Sequence, residues 1–440
     1  MIRSGTALGV GAAVILSAMS VASGPSEAAY RLCALRDGPS GPCTCKSDGD
    51  SAGQFTVVSK SRCRIAAAAP AKAEKGTEAA STPEATAAQP NATAGTEAPS
   101  ASPQAAAAPR DGSGPITTGA LPSTTGTRLD QVRQRGKLRC GVNTGLLGFS
   151  AQTESGVWAG LDVDFCRALA AAALGDGEKV EFVPLETSER FDALKDGRID
   201  VLARNATWTM NREVDLGLRF AGVLYFDGQG FMTSDDRGFV SAQQLSGSKV
   251  CVEAGTTSEK NMDFFFKSVG IEAQAMVFPT REEMLKAYTN GNCDTYTGDR
   301  SALFSSRASF PEPARHAILP EVISKEPLGP AVLKDDGEWT EIVTWTLAAL
   351  INAEEVGLDK RLAGSADPLS DEQQRLIDGA GESGEKLHLD KAWVRTVVAA
   401  VGNYGEMFEA NVGKGSPLGM ERGLNALWKR GGILTAPPMW

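Results

Sequence analysis

SERFDALKDGRIDVLARNATWTMNRE (188–213) and, farther along, LKAYTNGNCDTYTGDRS (285–301) read as two versions of one unit. Each runs from a helical stretch through a tight turn at a glycine into a short apolar strand, then ends in polar residues. Superposing the turns sets ALKDGRIDVLARN over AYTNGNCDTYTGD and places Asn205 opposite Asp299. Two such α/β halves predict a cleft between two lobes, because open α/β sheets bind ligands beyond the carboxyl ends of their strands. The groups expected to meet there are Thr207 and Arg212 from the first half and Asp299 from the second. A hydroxyl, a guanidinium and a carboxylate together complement a zwitterion bearing a carboxylate and an ammonium.

The flanking sequence extends both units. KLRCGV (137–142) reads as a buried strand ending in the turn NTG. Leu161, Phe165, Leu169 and Ala172 form a helical stripe closed by Gly175. KVEFVPL (179–185), a helix from Ser188 and IDVLAR (199–204) complete a β-α-β-α-β unit. KVCVEAG (249–255) begins a second one, with helices from Thr257, Arg281 and Ser301 and strands AQAMVFP and CDTYTGD. The alternation predicts mainly parallel sheets flanked by helices in both lobes. Residues 335–440 read as mostly helical and are expected to pack back on the first lobe.

Outside this region the chain changes character. MIRSGTALGVGAAVILSAMSVASGPSEAAY reads as an export signal, with cleavage between Ala22 and Ala29. No Cys follows the apolar run closely enough to suggest a lipid anchor. Residues 30–65 form a small Cys-bearing segment, and residues 66–127, nearly all Ala, Pro, Thr, Ser, Glu and Gly, read as a disordered linker. In an exported chain the eight Cys suggest disulfides. Cys251 with Cys293 and Cys140 with Cys166 are the expected pairs, free buried thiols being the alternative for some. Connectivity among Cys33, Cys43, Cys45 and Cys63 is not readable. A net charge of −10 argues against nucleic acid, and two His leave little room for His-based catalysis or a His metal site. No cofactor and no metal are expected.

Within the cleft, Thr209 reads as the N-cap of the turn carrying Arg212, whose fork would grip a carboxylate bidentately. AGTTSEK (254–260) puts Thr257 where a strand meets a helix, which favours an anion or serves as an ordinary cap. Asp299 could accept from an ammonium or cap its own helix, and Arg190 could reach a ligand or lie solvated.

Taken together, CGVNTGLLGFS (140–150), GLDVDFCRALA (160–170), IDVLARNATWTMNRE (199–213), LYFDGQGFM (224–232), CVEAGTT (251–257), ISKEPLGPAV (323–332), VGNYGEMFE (401–409) and GLNALWKRGG (423–432) resemble one family in order. From about Arg128 onward the chain resembles a periplasmic polar amino-acid-binding protein of an ABC importer, of the general L-amino-acid-binding subgroup. The resemblance implies a two-lobed type 2 periplasmic-binding-protein fold, with lobe 1 at 128–228 and 329–440 and lobe 2 at 229–328. Two hinge crossings, near Asp227–Gly230 and Pro327–Ala331, join the lobes. It further implies that Arg212 and Thr207 hold an α-carboxylate with Thr257, that Asp299 holds the α-ammonium, and that Asn143 and Thr144 face the ligand.

Asn143 is neutral where similar glutamine binders carry an acid and glutamate/aspartate binders an arginine. Thr187 stands where glutamine binders place a stacking aromatic, while Arg190 matches an arginine of glutamate binders. A permissive pocket favouring polar and acidic L-amino acids is the expectation, in a periplasmic, monomeric protein that serves an inner-membrane permease. The alternative is a periplasmic enzyme on the same fold, dehydratase-like, which would need a poised acid–base pair in the cleft. A tethering role for residues 30–65 would add to binding rather than replace it.

Overall fold

The computed structural model describes residues 126–439, together with the backbone of two short strands, β1 (Cys33–Leu35) and β2 (Cys43–Cys45). These two pair antiparallel, Cys33 opposite Cys45 and Leu35 opposite Cys43. The export signal at 1–29, the rest of the segment 30–65 and the linker up to residue 125 lie outside the described residues.

The larger part opens with α1 (Arg128–Arg135), started by a capping box between Thr127 and Asp130. Then follow β3 (Leu138–Asn143), the β4–β5 ribbon (Ala151–Gln152, Trp158–Ala159), α2 (Leu161–Leu174), β6 (Val180–Leu185), α3 (Arg190–Lys195) and β7 (Val201–Leu202). After α4 (Met210–Val214) and β8 (Leu218–Phe220) the chain leaves this lobe on β9 (Tyr225–Asp227). The second lobe comprises β10 (Gln229–Ser234), β11 (Lys249–Glu253), α5 (Thr257–Val269), β12 (Gln274–Phe278), α6 (Arg281–Thr289), β13 (Thr295–Asp299), α7 (Arg300–Ser309) and β14 (His316–Ile318). The chain returns on β15 (Glu326–Leu328) to β16 (Ala331–Leu333). Five helices finish it: α8 (Gly337–Glu355), α9 (Lys360–Ala363), α10 (Asp371–Lys386), α11 (Trp393–Val401) and α12 (Tyr404–Asn411).

Each lobe is built on a five-stranded sheet, in the orders β6-β3-β7-β16-β8 and β12-β11-β13-β10-β14. The repeats superpose in topology: the first strand of each unit, β3 or β11, is flanked by its second and third, all parallel. One strand per sheet runs against the rest, β16 in lobe 1 and β10 in lobe 2. Both come directly after a hinge crossing. A chain entering a lobe at the carboxyl edge of its strands must run away from that edge, so the first strand after each crossing is antiparallel.

The crossings β9 and β15 pair antiparallel, with Glu326 opposite Asp227. Gly329 follows at once, and a Cβ there would lie 2.0 Å from the Gly222 carbonyl oxygen, so only glycine lets these backbones pass. The side chain of Asn425 accepts from the Phe226 N–H at 2.7 Å and donates to its carbonyl at 3.0 Å, clamping the first crossing to the C-terminal tail.

Apolar clusters fill both faces of each sheet. The largest joins α2 to α8, α10, α11 and α12, so the helical tail completes lobe 1. A smaller one lies under α3, and two more cover the faces of lobe 2. Cys140 is bonded to Cys166, tying β3 to α2, and Cys251 to Cys293, tying β11 to the turn before β13. Loops of 26 and 42 residues closed this way stabilise by about 3–4 kcal/mol each in the chain-entropy account. No helix among the described residues is long and apolar enough to cross a membrane.

Candidate functional site

The carboxyl ends of the central strands face each other across the hinge. On the lobe 1 side, β3 ends at Asn143, whose N–H is held by Ser150 Oγ at 2.9 Å and whose amide donates to Asn205 Oδ1 at 3.3 Å. Asn205 follows β7 with φ +33°, one of two non-glycine residues with positive φ among the described residues. Asn tolerates this conformation better than most, and such strain clusters at functional sites. Its N–H donates to Asp162 at 3.1 Å, at the start of α2.

Burial pushes Asp162 up to about 7, opposed by the Asn205 N–H and the positive charge of Arg204. The sign follows from the extra proton the folded protein then keeps. Stability is fullest below the ordinary carboxyl range and declines as pH rises from about 4 to about 7. Asp162→Asn removes the ionisation, so its stability relative to wild type should rise by on the order of 2–3 kcal/mol between pH 5 and pH 8. Denaturant unfolding at both pH values checks this; parallel curves would show that Asp162 does not titrate in that window.

Thr209 caps α4, accepting the Arg212 N–H at 3.3 Å. The short helix carries the Arg212 guanidinium inward, where it donates to the Thr207 carbonyl at 2.5 Å and lies 5.1 Å from the Phe191 ring. Arg190, the first residue of α3, lies 4.8 Å from the same ring, is 5% exposed, and its Nε has no partner. Burial, then the like charges of Arg204 and Arg212, disfavour its cationic form. Arginine nevertheless stays charged in proteins, so Arg190 is a buried cation that lacks a full set of acceptors.

On the lobe 2 side, β11 ends at Glu253 and α5 begins at Thr257 with no side-chain cap. The first N–H groups of this helix therefore favour a negative partner. Asp299 occupies the N-cap position of α7 yet makes no capping bond. Burial, then the neighbouring Asp227 and Glu326, push its carboxyl well above the ordinary range, against the pull of Arg212 and Arg190.

These parts line one small cavity between the lobes, of about 70 Å³. Of the residues singled out in the sequence, Asn143, Arg190, Asn205, Thr207, Arg212, Thr257 and Asp299 line it together. Thr144 does not: it is exposed, and the backbone of its turn faces lobe 2 instead, Gly145 O accepting from Arg281 at 3.1 Å. Successive residues at the end of a strand point to opposite sides, so Asn143 turns inward and Thr144 outward.

Three charged lining residues escaped the sequence reading, Arg204, Glu253 and Arg281. Arg204 donates to the Leu185 carbonyl at 2.8 Å and to Thr187 Oγ1 at 3.0 Å, and Thr187 in turn donates to Glu253. Alignment on the turns sets Arg281 opposite Thr187 and not opposite Arg190, so the repeat gave no signal for Arg281. Arg281 opens α6 as Arg190 opens α3, each at a helix start where the dipole disfavours a cation, but at positions three residues apart in the aligned units.

The lobes meet directly around the cavity. Besides the Thr187–Glu253 and Arg281–Gly145 bonds, Thr207 Oγ1 lies 3.3 Å from Thr257 Oγ1 across the cleft. The arrangement is that of a closed two-lobed clamp, holding Arg212 and an α5 N-terminus on one hand and Asp299 on the other.

Comparison with known proteins agrees with this architecture. The profile of the bacterial extracellular solute-binding proteins, family 3, matches residues 138–358. The general L-amino acid-binding periplasmic protein of Rhizobium johnstonii is 48% identical over 72% of this chain and 94% of its own length. The glutamate/glutamine/aspartate/asparagine-binding protein of Rhodobacter capsulatus is 45% identical over 73% and 95%. A solved periplasmic binding protein of an ABC transporter from Brucella ovis, with glutathione bound, is 46% identical and superposes with a TM-score of 0.69. It covers 72% of this chain and all (100%) of that one. The repeated α/β units, the paired hinge strands and these matches make the chain a member of the bacterial extracellular solute-binding proteins, family 3.

Proposed function

We propose that this protein is the periplasmic solute-binding subunit of an ABC importer, capturing L-amino acids between its lobes and presenting them to the permease. One observation carries the reading: a buried guanidinium, Arg212, and a half-buried carboxylate that makes no capping bond, Asp299, face one cavity from opposite lobes. In this account Arg212 and the N-terminus of α5 at Thr257 hold the α-carboxylate, and Asp299 holds the α-ammonium. A micromolar ligand needs about −8 kcal/mol, and charge-assisted hydrogen bonds contribute roughly 1.5–3 kcal/mol each. Three or four contacts to the head group shared by all amino acids therefore cover most of the binding.

Selection is left to Asn143, Thr187, Arg190, Arg204, Glu253 and Arg281, which surround the remainder of the cavity. A mixed set of cations, one acid and neutral hydroxyl and amide groups, with no aromatic ring for stacking at Thr187, favours polar and acidic side chains without demanding one. The names of the Rhizobium and Rhodobacter relatives support that breadth. The glutathione in the Brucella structure supports extending the range to γ-glutamyl compounds, whose free head group is the same zwitterion.

A thermal-shift screen of the exported chain, disulfides intact, against the twenty L-amino acids and glutathione tests the reading. A ligand at 100 times its dissociation constant adds about 2.7 kcal/mol, a shift of several degrees. Shifts with several polar and acidic amino acids are expected. A single responder would overturn the breadth, and no responder would overturn amino-acid capture.

A further inference from the structure

Glu326 stands on the second hinge crossing, 1% exposed, and its carboxylate gathers four hydrogen bonds. Oε2 accepts from Thr207 of lobe 1 at 2.6 Å and from Thr257 of lobe 2 at 3.0 Å. Oε1 accepts from Asn261 on α5 at 2.7 Å and from Ser324 on its own crossing. A buried carboxylate costs several kcal/mol of lost hydration unless its lone pairs are filled, and here all four donors are protein groups. Only when both lobes lie against the hinge are all four within reach. Opening the cleft carries Thr257 and Asn261 away from Thr207 and leaves the carboxylate partly unpaired or newly hydrated.

We infer that Glu326 is a positioning residue, a clasp that biases the two-lobed equilibrium toward the closed form and fixes the Thr207 and Thr257 hydroxyls. The second effect follows from proton count. Each hydroxyl has one proton, and each gives it to Glu326, so both present lone pairs to the cavity. On the proposed amino-acid reading, that leaves the α-carboxylate to Arg212 and backbone N–H groups, and offers the two hydroxyls as acceptors. The closed fraction multiplies the intrinsic affinity, so a residue that touches no ligand can still set the dissociation constant.

The test uses the exported chain and two variants. Glu326→Gln keeps the shape but replaces an acceptor oxygen with a donor, so one of the two donor pairs is lost. Asn261→Ala removes one lobe 2 bond at a residue that does not line the cavity. Distances between spin labels at exposed Lys195 of lobe 1 and exposed Lys267 of lobe 2 report closure without any ligand. Both variants should shift the label distribution toward longer distances. Both should also weaken glutamate binding, Glu326→Gln by about tenfold or more and Asn261→Ala by less, with faster ligand release. Unchanged distances and unchanged affinity in both variants would overturn the clasp. If Glu326→Gln fails to fold, Asn261→Ala decides alone. Should wild type bind no amino acid, the label distances still judge the clasp, and only the ligand reading falls.

Discussion

Replacing Arg212 by Ala is expected to weaken binding of every L-amino acid the protein captures by about two to four orders of magnitude, because a buried ligand carboxylate is left unpaired. The loss should be nearly the same for each ligand, since the contact is to the head group and not to the side chain. Arg212→Lys should recover only part of it. Lysine restores the charge but not the planar fork, and cannot share the Phe191 ring in the same way. The variant also loses the bond to the Thr207 carbonyl, so its melting temperature is measured alongside. Calorimetry that finds near-native affinity in a folded Arg212→Ala protein would reassign the carboxylate to other groups, Arg190 first among them.

Binding should release protons, and Asp299 should be their source. In the ligand-free site burial and the adjacent acids Asp227 and Glu326 push the Asp299 carboxyl well above the ordinary range, against the pull of Arg212 and Arg190. Burial likewise pushes Asp227 up to about 6. A ligand ammonium reverses the balance and drives the proton off. Affinity should therefore rise with pH by up to about tenfold per unit, over the range from the ordinary carboxyl values to the raised value of the ligand-free site. Calorimetry in buffers of different ionisation enthalpy reads the proton count directly. Asp299→Asn should abolish the release and weaken binding at pH 8 by about a hundredfold or more. Proton release that persists in Asp299→Asn would place the titrating group elsewhere. In the ligand-free protein the sign is opposite for folding: ionising Asp299 as pH rises costs stability, which a bound ammonium restores.

The repeat was the most legible part of the fold, for a physical reason. Ala193–Asn205 and Ala287–Asp299 each carry their helix stop, turn glycine and strand within thirteen residues, so local chemistry alone declares them. Arg212 was readable because Thr209 announces the cap that aims it. Glu253 and Glu326 were not. Lys325 and Pro327 flank Glu326, and nothing local tells such an acid from a solvated one until two lobes close on it. Arg204 was hidden for a related reason, since an arginine beside an apolar strand acquires meaning only from the Leu185 carbonyl and Thr187 across the sheet. Thr144 was expected at the ligand only through the family resemblance, and the pleat that turns Asn143 inward carries Thr144 outward. The antiparallel strands β10 and β16 likewise depend on where the hinge lies, which no helix–strand alternation records.

The most direct test of head-group capture is to titrate the protein with L-glutamate and with its two truncated analogues, 4-aminobutyrate and glutarate, under identical conditions. The first lacks the α-carboxylate, the second the α-ammonium, and each keeps the rest of the molecule. If Arg212 with the α5 N-terminus and Asp299 form the clamp, glutamate binds and both analogues lose at least about a hundredfold in affinity. An analogue that binds within about threefold of glutamate would contradict the account, because three or four head-group contacts could not then supply most of the binding.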